Sequence, residues 1–302
     1  MSLLSSHTLE DRVEPGKRPS SAWGHARTIG VLSLDPSPYG KANLLSGIQD
    51  VTRESDYCVS ILSPAAPRPE SVLGALARMR RMAVEGVLVL APQRAAIEWL
   101  AGAPGELPLL VLGSPCQDLL SAVTSDHYAA AATATSHLLE LGHQSVFHIA
   151  GPLDGSEPGS RLAGWRDTLR AAGAEVPDAM IGDGSAEGGY ELGRRLAPRS
   201  DVTAIFAASD QMALGVLRAL FEAGRRVPDE VSVVGFGGAP EGEFFNPPLT
   251  TIRQNFTEMG RRGAELLQAE IEARRLARVQ ETIPAELILR ASTAAPAPPH
   301  AV

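Results

Sequence analysis

Cysteine is scarce: Cys58 and Cys116 are the two in 302 residues. One pair cannot build a disulfide framework, and no Cys/His grouping has the spacing of a zinc site. Both read as small core residues. Long apolar runs are missing as well. The longest, such as Val87–Ala91, fall far short of the roughly 20 residues that cross a bilayer. The opening MSLLSSHTLEDRVEPGKRP holds no apolar stretch of the kind a secretory signal needs. These absences point to a soluble cytoplasmic chain with no membrane partner. Positive charge is in deficit, with 27 Lys+Arg against 35 Asp+Glu and a net charge of −8. A body this acidic repels phosphate and should not itself grip nucleic acid broadly. Signatures of catalysis are also lacking. No G-x-S-x-G elbow occurs. Neither Gly182-Asp183-Gly184 with Gly188-Gly189, nor Gly235-Phe236-Gly237-Gly238 with Pro240 and two glutamates, gives the G-x-G-x-x-G cradle for a pyrophosphate. His127, His137, His143 and His148 are scattered, and His143 belongs with the Leu-Gly-His turn rather than a metal. The reading is a non-enzyme with no cofactor and no metal; a dinucleotide-dependent oxidoreductase is the enzyme rival.

What the chain does have is a globular balance, 44% hydrophobic and 21% charged, enough for a real core. At about 100–200 residues per domain, the length suggests two domains. Residues 1–26 are polar, carry Pro15, Gly16 and Pro19, and read as a tail or linker. The terminal TAAPAPPHAV is a Pro-rich end. Between them strands and helices alternate. Thr28–Leu34, Tyr57–Leu62, Gly86–Leu90 and Leu109–Leu112 read as strands. Lys41–Ser55, Glu70–Met82 and Ala95–Leu100 read as helices. Such alternation means parallel sheet with helices on both faces. The order then repeats. Gly47-Ile48-Gln49-Asp50-Val51-Thr52-Arg53 resembles Gly164-Trp165-Arg166-Asp167-Thr168-Leu169-Arg170, an offset of 117 residues. At that offset Ile29–Leu32 falls on Val146–Ile149 and Gly86–Val89 on Thr203–Phe206. Leu109–Leu112 matches Val231–Val234 after a short insertion. Two similar α/β lobes are expected, with any ligand in a cleft at their strand C-termini.

The second half is more specific. His137-Leu138-Leu139-Glu140-Leu141-Gly142-His143-Gln144-Ser145-Val146 leads into Ile149-Ala150-Gly151-Pro152. Then come Arg161-Leu162-Ala163-Gly164-Trp165, Ser209-Asp210-Gln211-Met212-Ala213-Leu214-Gly215 and Arg226-Val227-Pro228-Asp229-Glu230-Val231-Ser232-Val233-Val234-Gly235-Phe236. Pro247-Pro248-Leu249-Thr250-Thr251-Ile252-Arg253-Gln254 closes the series. From about Arg27 to Thr293 this resembles the regulatory core of the lactose-repressor/galactose-repressor family of bacterial transcription regulators. The resemblance implies two doubly wound parallel-sheet lobes around a cleft, as in periplasmic sugar-binding proteins. It implies three passages between lobes, near Leu141, Gln254–Phe256 and Pro284. The expected lobes are 27–141 with 256–283, and 142–255 with 284–295, leaving 296–302 as a tail. It also implies a homodimer in which a small molecule in the cleft, a sugar or an anionic metabolite, controls operator DNA binding. That binding belongs to an N-terminal helix-turn-helix headpiece. Residues 1–26 are too few and too polar for its three helices. Arg12, Lys17, Arg18 and Arg27 read as a solvated tail, and the headpiece as missing from this chain. A secreted solute receptor of the same fold is the alternative.

Arg161 stands where the family places a cleft arginine, whose paired donors suit vicinal hydroxyls or a carboxylate. Asp126 stands where the family often has an acceptor for ligand hydroxyls; a plain helix N-cap is its other reading. Ser209-Asp210 replaces the family's Asn-Asp, Gly237-Gly238 its Asp-Asp, and Gly184 a Trp of some members. The usual sugar carboxylate is therefore gone, and Asp210 becomes a possible partner of Arg161. Tyr39, Tyr128, Trp165, Phe236 and Phe256 either line the cleft or join a core. For the dimer, Leu214, Leu217 and Phe221 recur at i, i+3 and i+7 along one helix, and Phe244 and Phe245 precede Pro247. The other reading of this Leu/Phe stripe is that it is simply core.

Overall fold

The computed structural model describes residues 27–34, 38–66, 68–90, 93–105, 107–116, 119–152, 156–274 and 278–297. The expected tail at 1–26 and the last residues of the C-terminal tail lie outside them. Two six-stranded sheets form. The first has the order β11-β5-β4-β3-β1-β2, from β1 (Arg27–Ser33), β2 (Tyr57–Leu62), β3 (Gly86–Leu90), β4 (Leu109–Gly113), β5 (Ser121–Ser125) and β11 (Gln280–Ile283). The second has the order β12-β10-β9-β8-β6-β7. Its strands are β6 (Phe147–Ala150), β7 (Met180–Ile181), β8 (Ala204–Ala207), β9 (Ser232–Gly237), β10 (Thr250–Gln254) and β12 (Ala285–Ile288). The strands expected to match across the repeat, β1 with β6, β3 with β8 and β4 with β9, hold the same places in the two sheets. The last strands differ: β11 runs parallel to β5, whereas β12 runs antiparallel to β10. Only Pro284 separates β11 from β12, so one extended segment serves both sheets in opposite senses.

The central strands β1, β3, β4, β8 and β9 are nearly continuous apolar runs because both faces are covered. In β3 every residue is buried: Leu88 and Leu90 join one core cluster, Val87 and Val89 another. The first cluster packs under α1 (Pro38–Glu54) and α8 (Phe256–Ala273), through Leu44, Ile48, Met259 and Leu267. The second packs under α2 (Pro69–Arg81) and α3 (Arg94–Ala101), through Val72, Leu76, Ile97 and Leu100. On the second sheet, α4 (His127–Glu140) and α5 (Ser156–Ala171) cover one face. The other is covered by α6 (Ala186–Leu196) and α7 (Asp210–Glu222). Each fully buried Leu or Ile contributes about 1.5–3 kcal/mol.

The glycines that announce the repeat do the same job in each lobe. A Cβ on Gly47 would sit 1.9 Å from the Thr257 carbonyl oxygen, and one on Gly164 2.3 Å from that of Tyr128. Both let two helices, α1 with α8 and α5 with α4, touch backbone to backbone.

One expected boundary moves. Helix α4 packs on the second sheet, with Ala130, Ala134 and Leu138 against Trp165, Phe206 and Ile252. The first passage between lobes therefore lies at Asp126, not near Leu141. The sequence around Leu141 is a turn, and an Ala-rich helix does not announce which sheet it covers. All three passages are single residues: Asp126 between β5 and α4, Asn255 between β10 and α8, and Pro284 between β11 and β12. Asp126 and Asn255 both cap the helix that follows, accepting from Ala129 N at 2.8 Å and from Glu258 N at 3.1 Å.

Candidate functional site

A cavity of about 160 Å³ opens where the strand C-termini of the two lobes meet. The first lobe supplies Tyr39 and Leu44 of α1, Leu112 and Gly113 from the end of β4, and Phe256 at the start of α8. The second supplies Arg161 of α5, Ala208 to Gln211 from the β8–α7 junction, Phe236 and Gly237 at the end of β9, Ala239 just beyond it, and Gln254 at the end of β10. A second cavity, about 470 Å³, adjoins it and shares Tyr39, Gln254 and Phe256. Asn43, Arg253, Asn255 and Glu286 line its polar remainder. The Tyr39 and Phe256 rings, which line both spaces, meet edge to face with centroids 6.0 Å apart at 85°.

Arg161 is 9% exposed. Its Nη1 donates to His127 Nδ1 at 3.0 Å, and its guanidinium carbon lies 4.9 Å from the Phe236 ring centroid. Burying a cation is tolerable only with such partners around it. Ser209 caps α7, accepting from Met212 N at 3.1 Å, while its hydroxyl faces the Gly184 carbonyl at 3.4 Å. Gln254, buried at the end of the Thr-Thr-Ile-Arg-Gln strand, brings an amide able both to donate and to accept.

Six of the nine expected ligand-site residues thus converge: Tyr39, Arg161, Ser209, Asp210, Phe236 and Phe256. Three do not line the cavity. Asp126 is exposed and spends its carboxylate on the cap of α4. Tyr128 is also exposed, its hydroxyl donating to Asp167 at 3.3 Å. Trp165 lies in the core under α4, its Nε1 donating to the Val146 carbonyl at 2.8 Å. Asp210 touches the cavity, but its carboxylate is committed elsewhere. It accepts from Thr251 Oγ1 at 2.5 Å, from Ala239 N at 2.6 Å and from the Gly238 backbone, and burial raises its pKa against those bonds. It fastens the β9–β10 connection in place of meeting Arg161. Gly237 and Gly238 have φ of +124° and +77°, and a Cβ on Gly238 would stand 2.7 Å from Arg253 Cα. The backbone here excludes the carboxylates that the family carries.

His127, Gln211 and Gln254 join the site without being expected there from the sequence. Gln254 closes the Pro-Pro-Leu-Thr-Thr-Ile-Arg-Gln motif, at the last position of β10 and beside a lobe passage, which is the signal that would have found it. His127 carries no such mark.

Of the residues expected at a dimer interface, Leu214, Phe221 and Phe244 are exposed, by 42%, 72% and 84%. Leu217 is buried in the second-lobe core and Phe245 packs half-buried against it. The stripe is therefore part surface and part core. Among the described residues no helix is long and apolar enough to cross a membrane, and no group of His, Cys, Asp and Glu is placed to hold a metal.

Comparison with known proteins agrees with this architecture. The periplasmic binding protein-like domain family matches residues 135–293. The lactose operon repressor of Klebsiella pneumoniae is 32% identical over 272 residues, covering 88% of this chain and 76% of the repressor. The transcriptional regulator CelR of Thermobifida fusca is 38% identical over 184 residues, 60% of this chain and 54% of CelR. Among solved structures, a dimeric Lac repressor with an 11-residue C-terminal deletion superposes with a TM-score of 0.82 at 27% identity, covering 89% of this chain and 99% of that one. A CelR–cellobiose complex gives a TM-score of 0.80 at 29% identity, covering 88% and 84%. With its paired sheets, its inter-lobe cleft and this similarity, the chain belongs to the lactose-repressor (LacI) family of transcription regulators and holds that family's periplasmic-binding-protein-like, effector-binding core.

Proposed function

We propose that this chain is the effector-responsive and dimerising core of a cytoplasmic, non-enzymatic transcription regulator. A small molecule, a sugar or an anionic metabolite, enters the cleft on Arg161 and Gln254 between the rings of Tyr39, Phe236 and Phe256. It sets the angle between the lobes, and through it the operator affinity of an N-terminal headpiece. The observation that carries this reading is convergence: a buried arginine, an amide and three aromatic rings from both lobes meet at one cavity. The relatives support it. They are named as operon repressors and regulators, and one was solved with cellobiose, which favours a regulator over a solute receptor. A relative solved as a dimer and the exposed Leu214, Phe221 and Phe244 support pairing of two chains through α7 and the segment before Pro247.

The test is a thermal-shift screen of sugars, nucleosides and phosphorylated sugars against wild type and Arg161→Ala. A ligand that binds only the native state raises the melting temperature. At least one compound should raise it in wild type and lose most of that effect in Arg161→Ala. Equal shifts in both proteins would remove Arg161 from its role.

A further inference from the structure

Arg161 is aimed from behind by a residue that does not line the cavity. His127 opens α4, is 4% exposed, and stacks on Phe236 with centroids 5.7 Å apart and planes inclined by 18°. The Arg161 guanidinium lies over the same Phe236 ring and reaches His127 Nδ1 at 3.0 Å. A guanidinium nitrogen can only donate, so Nδ1 is the bare nitrogen and the ring proton sits on Nε2. The Gly113 backbone lies beside the imidazole and acts to raise its pKa. Gly113 ends β4 in the first lobe, whereas Arg161 and Phe236 belong to the second. The imidazole therefore has one nitrogen on the ligand anchor and its ring beside the opposite lobe, at the Asp126 passage.

We propose that His127 is the positioning residue of the cleft: accepting from Arg161 on Nδ1 and lying against Gly113 of the other lobe, directly after the Asp126 passage, it makes the aim of the effector anchor depend on the angle between the lobes. The inference rests on the reading of Arg161 as the anchor. A carboxylate in this place would neutralise the arginine that it holds; an imidazole orients it without doing so. The surroundings keep that imidazole uncharged. Burial, and then the Arg161 charge, push its pKa down to about 3, so the acceptor on Nδ1 persists across the physiological range.

The histidine can be read directly in the unliganded protein by long-range ¹H–¹⁵N correlation of its imidazoles and arginine side chains. The expected result is an Nε2–H tautomer for His127, unchanged from pH 8 to pH 5. Its proton should be protected from exchange and show a nuclear Overhauser contact to the Gly113 Hα protons. The Arg161 Nη signals should be resolved in wild type and merge in His127→Phe, which keeps the stacking ring and lacks both nitrogens. His127→Asn, which restores an acceptor near Nδ1, should resolve them again. A proton on Nδ1, a titration midpoint above pH 5, a missing Gly113 contact, or Arg161 signals indifferent to His127→Phe each overturns the proposal. Should His127→Phe fail to fold, the tautomer, the pH series and the Gly113 contact in wild type decide alone. None of these readouts uses a ligand, so their failure is distinct from a failed ligand screen.

Discussion

Thr251 Oγ1 donates to Asp210 Oδ1 across 2.5 Å, joining the middle of β10 to the first turn of α7. An acid that motif reading counts among the ligand-facing groups is thereby a fastener of the loop that frames the cavity. Asp210→Ala would leave Thr251 and the Ala239 N–H without this buried acceptor, each costing about 1–3 kcal/mol. The expected outcome is a lower urea midpoint. A variant as stable as wild type would mean that the clamp is idle.

Stability should fall on mild acidification. His127 and His148 are both buried, and burial lowers each pKa to about 3 from an ordinary 6.5. Their folded values are depressed, so the stability they contribute is full above about pH 6.5. It declines as pH falls below that, because the unfolded chain takes up protons that the folded one refuses. Below pH 6 each histidine should cost about 1.4 kcal/mol per pH unit. Asp210 acts in the opposite sense: its raised pKa gives stability that is greatest below the ordinary carboxylate range and is lost as pH rises through the folded value. Denaturation between pH 7 and pH 5 should show a steep loss, made shallower by His148→Gln. A flat profile would contradict the neutral burial of these rings.

Gly47→Ala and Gly164→Ala should both be destabilising, by about 1–3 kcal/mol or more, since the added Cβ meets helix backbone rather than a movable side chain. Chemical denaturation of the two variants tests whether the matched glycines are matched in consequence. A loss at one position only would separate them.

Leu217 and Phe221 should part company on substitution. Leu217→Ala opens a cavity in the second-lobe core and should cost about 2–5 kcal/mol without changing mass in solution. Phe221→Ser with Phe244→Ser removes exposed rings, should barely alter the melting temperature, and should shift light scattering from two chains toward one. Scattering that stays at two chains would place the interface elsewhere.

Trp165→Phe offers a contrast with Phe256→Ala. The first loses the Nε1 bond to Val146 and should lower stability by about 1–3 kcal/mol while sparing the ligand-induced shift. The second removes a cavity wall and should weaken that shift. Loss of the ligand response in Trp165→Phe would return this ring to the site.

The central strands of both lobes were legible because a parallel sheet covered on both faces demands unbroken apolar runs, and β3 begins and ends where its run does. Depth was not legible. Arg161 and Trp165 are four residues apart and share a face of α5, but one helical turn, about 5.4 Å, separates a residue at the cleft mouth from one sealed under α4. Periodicity reports the face and not the distance along it. The same limit explains Leu217. It stands about 60° round α7 from Leu214, far enough to turn from the surface stripe into the core. His127 stayed hidden because its importance lies in a ring placed between two lobes that no local pattern joins.

Asp126, Asn255 and Pro284 are each the whole length of a connection. Three tethers with no slack leave the lobes no freedom to slide or to separate. What remains is mainly rotation about these closely spaced joints, which strand pairing sets side by side. Two of those joints are fixed at one side by a capped helix, and the third has a proline ring that locks its φ. Motion of such a body is close to a single coordinate. A ligand need only favour one value of that angle for the far ends of both lobes to travel together, with leverage set by the length of the sheets.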